Sequence, residues 1–383
     1  MTAAYDAIRA VLAGAGYAFV EPPILQDADI FLDLAGEDLR RRLFLTPSAD
    51  GVELCLRPDY TIPVALHHLT SGNARRVANY AYLGPVFRQR AGETGEFAQA
   101  GVESIGRGDT EAADADVLSL AIAAAEAAGV RAPKVKLGDS ALFLAVLDAL
   151  AIPAIWRRRL ARAFGDRARL DAAIDRLAKG ESAGAPGYAG FRGALDGVDG
   201  AKARQLVDDL LAIAGITAVG GRSAAEIAER FAAQAALAAE SGVSPRALAV
   251  LKRFLAISGS PDEAAVALTM LATQENLDIA AALRRFDVRN ALIAKAGLKG
   301  SLGGRAYEGR VTFAADFGRR LDYYTGFVFE VDDATRHPAG AIVGGGRYDR
   351  LISRIVERDG SGADIPAVGF ALWLDRLAKR GRA

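Results

Sequence analysis

Cysteine is nearly absent: Cys55 is the only one in a chain of 383 residues. A disulfide framework and a cysteine metal cluster are both excluded, and no metal or cofactor is expected. Flanked by Leu54 and Leu56, Cys55 reads as a small buried side chain. Net charge is lacking as well, because 47 basic and 47 acidic residues cancel. No global field draws such a chain onto nucleic acid or a membrane surface, which counts against an RNA-binding enzyme. Long apolar runs are missing too. The alanine-rich stretch 117–129 is interrupted by Glu126 and is too short to span a bilayer. Met1 to Leu12 has neither the basic start nor the continuous apolar core of a signal peptide, so a cytoplasmic location is expected. No internal repeat and no low-complexity segment stands out.

The length suits two or three domains. Tyr5, Ile8 and Leu12 recur at helical spacing and predict a helix over 3–14, stopped by Gly14 and Gly16. Tyr17 to Leu25 reads as a strand broken at Pro22-Pro23. Residues 41–47 and 52–57 read as a hairpin turned at Ala49-Asp50-Gly51. Proline then stops the strand, and Asp59 can either cap a helix starting near Thr61 or serve a ligand. An alanine-rich helix over 110–129 carries Asp109, Glu111, Asp114 and Asp116 near its start, where the macrodipole favours them. From Pro153 arginine-rich helices begin. Gly180 to Gly200 reads as a loop, and helices are predicted at 202–213, 223–239, 244–256, 262–272 and 275–297. The expected domains are a core in two parts, 1–150 and 301–383, with a mostly helical insertion at 151–300.

Two segments carry unusual polar cargo. Tyr80 to Arg88 and Glu96 to Ile105 read as paired strands, which places Phe97, Gln99, Gly101 and Glu103 on one face with Arg88 on the partner strand. A ring, an amide and a carboxylate beside a guanidinium suit a flat heterocycle with an anionic group; the alternative is a solvated face with cross-strand charge pairs. The second segment runs from Arg319 through Asp322, Tyr323 and Tyr324 to Glu330, with a strand predicted over 324–331. Strands are also predicted over 311–316 and 340–344, and Gly344-Gly345-Gly346 reads as a turn opening a helix at Arg347. A last strand, Ala367 to Phe370, leads into a helix carrying Arg376.

Leu83 to Arg88 with the return strand through Gln99 and Glu103 resembles the second motif of the class II histidyl-tRNA synthetase superfamily. Val368 to Leu377 resembles its third motif, Arg319 to Glu330 its histidine-recognition segment, and Pro22-Pro23 its first, dimer-forming motif. The resemblance implies an α+β fold: a class II aminoacyl-tRNA synthetase-like core with an antiparallel sheet flanked by helices, plus the helical insertion. It implies histidine-binding roles for Asp59, Arg88, Gln99, Glu103, Arg319, Tyr323 and Tyr324. It also implies that Arg88, Phe97 and Arg376 are remnants of a nucleotide site, the two arginines for phosphate and Phe97 for stacking on adenine.

The departures shape the expected function. Where the synthetases place a glutamate two residues after the motif-two arginine, this chain has Arg90, which removes an acceptor for adenine's amino group and adds a positive charge. The loop Ala91 to Gly95 is short and lacks basic residues. Only Ala378 to Ala383 follow Leu377, so no anticodon-binding domain is expected. These losses resemble those of the synthetase-like regulatory subunits of ATP phosphoribosyltransferase. The expectation is a non-catalytic subunit, homodimeric through its core. It would activate a short-form catalytic subunit in the first step of histidine biosynthesis and pass on feedback by L-histidine, with neither tRNA nor membrane as a partner. The alternative is a histidine-activating enzyme, a synthetase or related ligase.

Overall fold

The computed structural model describes residues 2–34, 39–70, 72, 74–179, 218–219, 222–223, 243–295, 310–319, 323–335, 340–356 and 362–378. The loop expected at 180–200, the helix expected at 202–213 and residues 224–239 of the helix expected at 223–239 lie outside the described residues; Ser223 ends a two-residue strand with Arg222. The remainder divides into two compact units, 1–145 with 254–383, and 146–253. Residues 254–295, which composition groups with an insertion over 151–300, belong to the first unit.

The first unit is organised on a nine-stranded sheet. Its strands are β1 (Ala18–Phe19), β5 (Ala78–Phe87), β6 (Glu96–Ile105), β7 (Pro133–Asp139), β10 (Ser258–Gly259), β11 (Val311–Ala314), β12 (Phe327–Asp333), β13 (Val343–Arg347) and β14 (Ala367–Trp373). In space the order is β1-β5-β6-β14-β13-β12-β7-β11-β10. From β5 to β7 every neighbour is antiparallel, and the parallel pairs β1/β5 and β7/β11 lie to either side. A small sheet of β2 (Leu25–Asp27), β4 (Glu53–Leu56) and β3 (Leu45–Pro47) stands apart. The hairpin expected around Asp50 is therefore present, whereas the strand expected over 17–25 is two short strands in different sheets. Pro22 and Pro23 separate them, because proline cannot donate to a ladder.

Helices cover both faces. On one, α1 (Thr2–Gly14) and the helix at Ala280–Lys295 pack against the helix at Thr110–Ala127, which crosses β13 and β14. On the other, the helices Ala28–Leu34, Thr61–Leu69 and Leu351–Val356 join a core with Tyr82, Val86, Phe97, Tyr323, Tyr348 and Trp373. The candidate site lies on this second face.

Asp114 does more than answer a helix dipole. It is buried between Arg347 of β13 and Arg289, and Arg289 also pairs with Asp139. Truncating one member of such a buried set costs about 3–5 kcal/mol, because a desolvated charge is left behind.

The largest correction concerns the glycine run. Gly344 to Gly346 form no turn; they are the middle of β13, buried throughout, and the helix begins only at Leu351. β12 likewise begins at Phe327, so Tyr323 and Tyr324 sit in the segment that leads into it. The glycines have a steric role in the strand. A methyl group at Gly344 would overlap the Arg319 guanidinium, and one at Gly346 would lie 2.9 Å from the Tyr324 ring. The glycines are there to let those side chains lie flat on the sheet.

Candidate functional site

The site is built on a row of cross-strand partners. Tyr80 stands opposite Glu103, Tyr82 opposite Gly101, Gly84 opposite Gln99 and Val86 opposite Phe97. β14 continues these rows with Gly369, Ala371 and Trp373, and β13 adds Gly346 and Gly344. Directly paired residues share a face, so glycines from four strands make a floor with polar side chains laid over it. Tyr60 covers Gly84, Tyr82 covers Gly101, Glu103 covers Gly369, Arg319 covers Gly344 and Tyr324 covers Gly346.

Glu103 is enclosed, 1% exposed. Thr61 donates its hydroxyl to Oε1 at 2.8 Å, and Tyr348 donates to Oε2 in a short bond. Burial pushes the carboxyl up to about 8 despite those two donors, and Asp59 adds to the rise. Asp59, also buried, has its own carboxyl raised by desolvation, partly offset by Arg88. Its Oδ1 accepts from the Ile62 amide at 3.4 Å while Oδ2 has no partner. Helix start and pocket thus share this side chain. Gln99 is 1% exposed with an unpartnered Oε1.

Arg319 donates from Nη1 to Glu330 at 2.7 Å, and its Nε has no partner among the described residues. Burial alone would lower its pKa, but Tyr324 and Glu330 outweigh that and hold it above its ordinary value. Tyr324 shares a hydrogen bond with this guanidinium, and Tyr323 packs against both Tyr324 and Tyr348. All three phenols are pushed up by burial. They remain neutral donors at physiological pH.

The residues expected to serve a nucleotide are arranged differently. Arg88 donates from Nε to the Pro58 carbonyl at 2.7 Å, and burial lowers its pKa against the pull of Asp59. Arg376 donates to the Ala341 carbonyl in a short bond and lies over the Trp373 ring at 4.3 Å. Phe97 carries Arg90 on its face, the guanidinium carbon 4.0 Å from the ring centroid.

Sequence reasoning missed the supports. Arg57 holds the pocket wall by donating to Pro22, to Pro85 at 2.9 Å and to the Tyr60 hydroxyl at 2.5 Å. Tyr60 in turn stacks on Tyr82 with centroids 4.4 Å apart. Thr61 and Tyr348 hold Glu103. A signal was available for two of them, since Thr61 follows Asp59 closely and Tyr348 ends the glycine run; Arg57 offered none beyond its place before a proline.

The sequence matches the family model described as histidyl-tRNA synthetase over residues 1–195 and 202–377. ATP phosphoribosyltransferase regulatory subunits of Brucella canis and Brucella ovis are each 41% identical over 374 residues, covering 97% of this chain and 96% of theirs. A solved structure from Bacillus halodurans, described as an ATP phosphoribosyltransferase regulatory subunit/histidyl-tRNA synthetase, superposes with TM-score 0.63 at 22% identity. That match covers 99% of this chain and 78% of the other. The histidyl-tRNA synthetase of Nostoc sp. gives TM-score 0.62 at 18% identity, over 98% and 70% of the two chains. At such identities the two structures establish a shared fold alone, which is the α+β class II synthetase-like core. With its full-length curated relatives beside the family match, this chain belongs to the ATP phosphoribosyltransferase regulatory subunits, a histidyl-tRNA synthetase-like family.

Proposed function

We propose that the chain is a histidine-responsive regulatory subunit that binds L-histidine on the glycine floor and performs no chemistry itself. One observation carries this reading: among the described residues three buried atoms, Asp59 Oδ2, Gln99 Oε1 and Arg319 Nε, lack a partner beside the enclosed Glu103. Each such atom costs about 1–3 kcal/mol while unpaired. A ligand offering donors to the carboxylates and amide, and an acceptor to a guanidinium, removes that cost. An amino-acid zwitterion with an imidazole has this set: an ammonium for Asp59 or Glu103, a carboxylate for Arg88, and ring nitrogens for Glu103, Arg319 or the tyrosines.

In this reading the chain activates a short-form ATP phosphoribosyltransferase catalytic subunit, and phosphoribosyl transfer takes place on that partner. Feedback follows if histidine favours one state of the assembly over another. Two copies of the chain pair through the core, supported by the exposed Ile24, Leu25, Leu45 and Val52 in and beside the small sheet. The core is the unit of residues 1–145 and 254–383, with 146–253 as the inserted unit, tRNA is not a ligand, and the complex works in the cytoplasm. Among the described residues no helix is long and apolar enough to cross a membrane.

The test is to mix this chain with a short-form catalytic subunit and follow phosphoribosyl transfer from phosphoribosyl pyrophosphate to ATP. Activity should depend on this chain and fall when histidine is added. Transfer indifferent to the chain, or ATP–pyrophosphate exchange by the chain alone, would overturn the reading.

A further inference from the structure

Phe97 ends the polar row of β6, two residues before Gln99, and presents a ring face beside the pocket floor. Such a face, next to an amide and a carboxylate, is a place for a flat heterocycle. It is already taken. Arg90 lies on it with its guanidinium carbon 4.0 Å from the ring centroid. A stacked ring needs a layer of its own, since aromatic pairs place their centroids roughly 4.5–7 Å apart. No layer is left between Phe97 and Arg90.

Arg90 is also tethered. Nη1 contacts Asp375 at 2.9 Å and Glu93 at 3.0 Å, and Nη2 donates to the Thr94 carbonyl at 3.1 Å. Asp375 belongs to the short C-terminal helix Leu374–Ala378, while Glu93 and Thr94 lie in the β5–β6 loop. Two segments far apart in sequence therefore clamp one cation over one ring. The Arg90 and Asp375 side chains are 19% and 21% exposed, so their pairing is shielded from water on most sides. Lifting Arg90 would break three polar contacts and a cation–π contact together.

We infer that Arg90 is a specificity-determining residue, a built-in occupant of the Phe97 face that closes the site to purine nucleosides and nucleotides while leaving the amino-acid pocket open. The inference rests on the histidine-pocket reading for the identity of the neighbouring ligand, but not for the contact itself. Its consequence is that this chain can register an amino acid without activating it, because the second reactant has nowhere to stack.

The experiment measures adenosine, ATP and L-histidine binding separately by titration calorimetry, using the full chain and the variants Arg90→Ala, Asp375→Asn and Arg90→Ala/Asp375→Asn. Adenosine is the key probe, because it reports the ring face without phosphate charge. The parent chain should show no saturable adenosine binding. Arg90→Ala should gain it, and the double variant should bind most tightly, roughly 5- to 100-fold above the detection limit set by the parent, the range one aromatic–base stack contributes. Asp375→Asn alone loosens the clamp and should give a smaller gain. Adenosine binding by the parent chain as tight as by the variants overturns the inference, as does the absence of any gain in variants that retain the parent's heat-unfolding midpoint. Should Arg90→Ala fail to fold, Asp375→Asn and the parent titration still decide. Loss of histidine binding in the parent would sink the pocket reading instead and leave the adenosine result standing.

Discussion

The residues expected to hold an amino acid and those expected to serve a nucleotide meet on β6, at Gln99 and Phe97, yet their polar groups are engaged differently. In the first set, Asp59, Gln99 and Arg319 each hold back a buried atom with no partner, as though waiting for a ligand. In the second, Arg88 is tied to the Pro58 carbonyl, Arg376 to the Ala341 carbonyl, and Arg90 to Asp375. Arg90 Nε and one Asp375 oxygen stay unpaired even so, but the guanidinium face is covered by Phe97. The lesson is that residue identity does not establish availability. A guanidinium held by a backbone carbonyl keeps its other N–H groups, but the direction in which they point is already set.

The sharpest way to break the comparison is at Glu103. Glu103→Ala leaves the Thr61 and Tyr348 hydroxyls without an acceptor and opens a cavity, at about 2–5 kcal/mol of stability. Histidine binding should disappear, as read by urea unfolding beside calorimetry; unchanged affinity would remove Glu103 from the site. Gly346→Ala comes next. The added methyl must displace the Tyr324 ring or the Phe327 carbonyl, 2.9 and 2.6 Å away. A cost of about 1–3 kcal/mol is expected, with weaker histidine binding, and a crystal structure of the variant should show Tyr324 moved.

A third prediction uses the raised carboxyl of Glu103. Its folded-state value of about 8 lies above the ordinary 4.5, so the folded state holds this proton more tightly than the unfolded chain. The stability it contributes is fully present below pH 4.5 and is lost as pH rises through about 8. A cationic ligand favours the carboxylate, so histidine binding near neutral pH should expel up to one proton. Calorimetry in buffers of different ionisation enthalpy reads that number, and Glu103→Gln should abolish it. The smallest effect is expected for Tyr324→Phe, which keeps the ring and deletes one polar contact. Histidine affinity should fall by roughly 3- to 10-fold, the value of one hydrogen bond, with the unfolding midpoint nearly unchanged.

Much of this was legible without coordinates. The β5–β6 hairpin follows from alternation, and its face of Phe97, Gln99, Gly101 and Glu103 is the observed one. The glycine run was misread because glycine prefers turns locally, whereas here its missing side chain matters to residues approaching from elsewhere. Asp114 fits a helix-dipole reading by its position alone. Its partner Arg347 lies 233 residues away, beyond any local pattern.

By itself, the sequence determined which chemical groups are present and which strands can pair, because alternation and proline placement act over a few residues. It also placed a cation, Arg90, two residues after Arg88. Only the tertiary structure decided which polar groups remain free. Hydrogen-bond satisfaction depends on carbonyls and carboxylates brought from distant segments, such as Pro58, Ala341 and Asp375, and on the glycine floor that lets Arg319 and Tyr324 lie against the sheet.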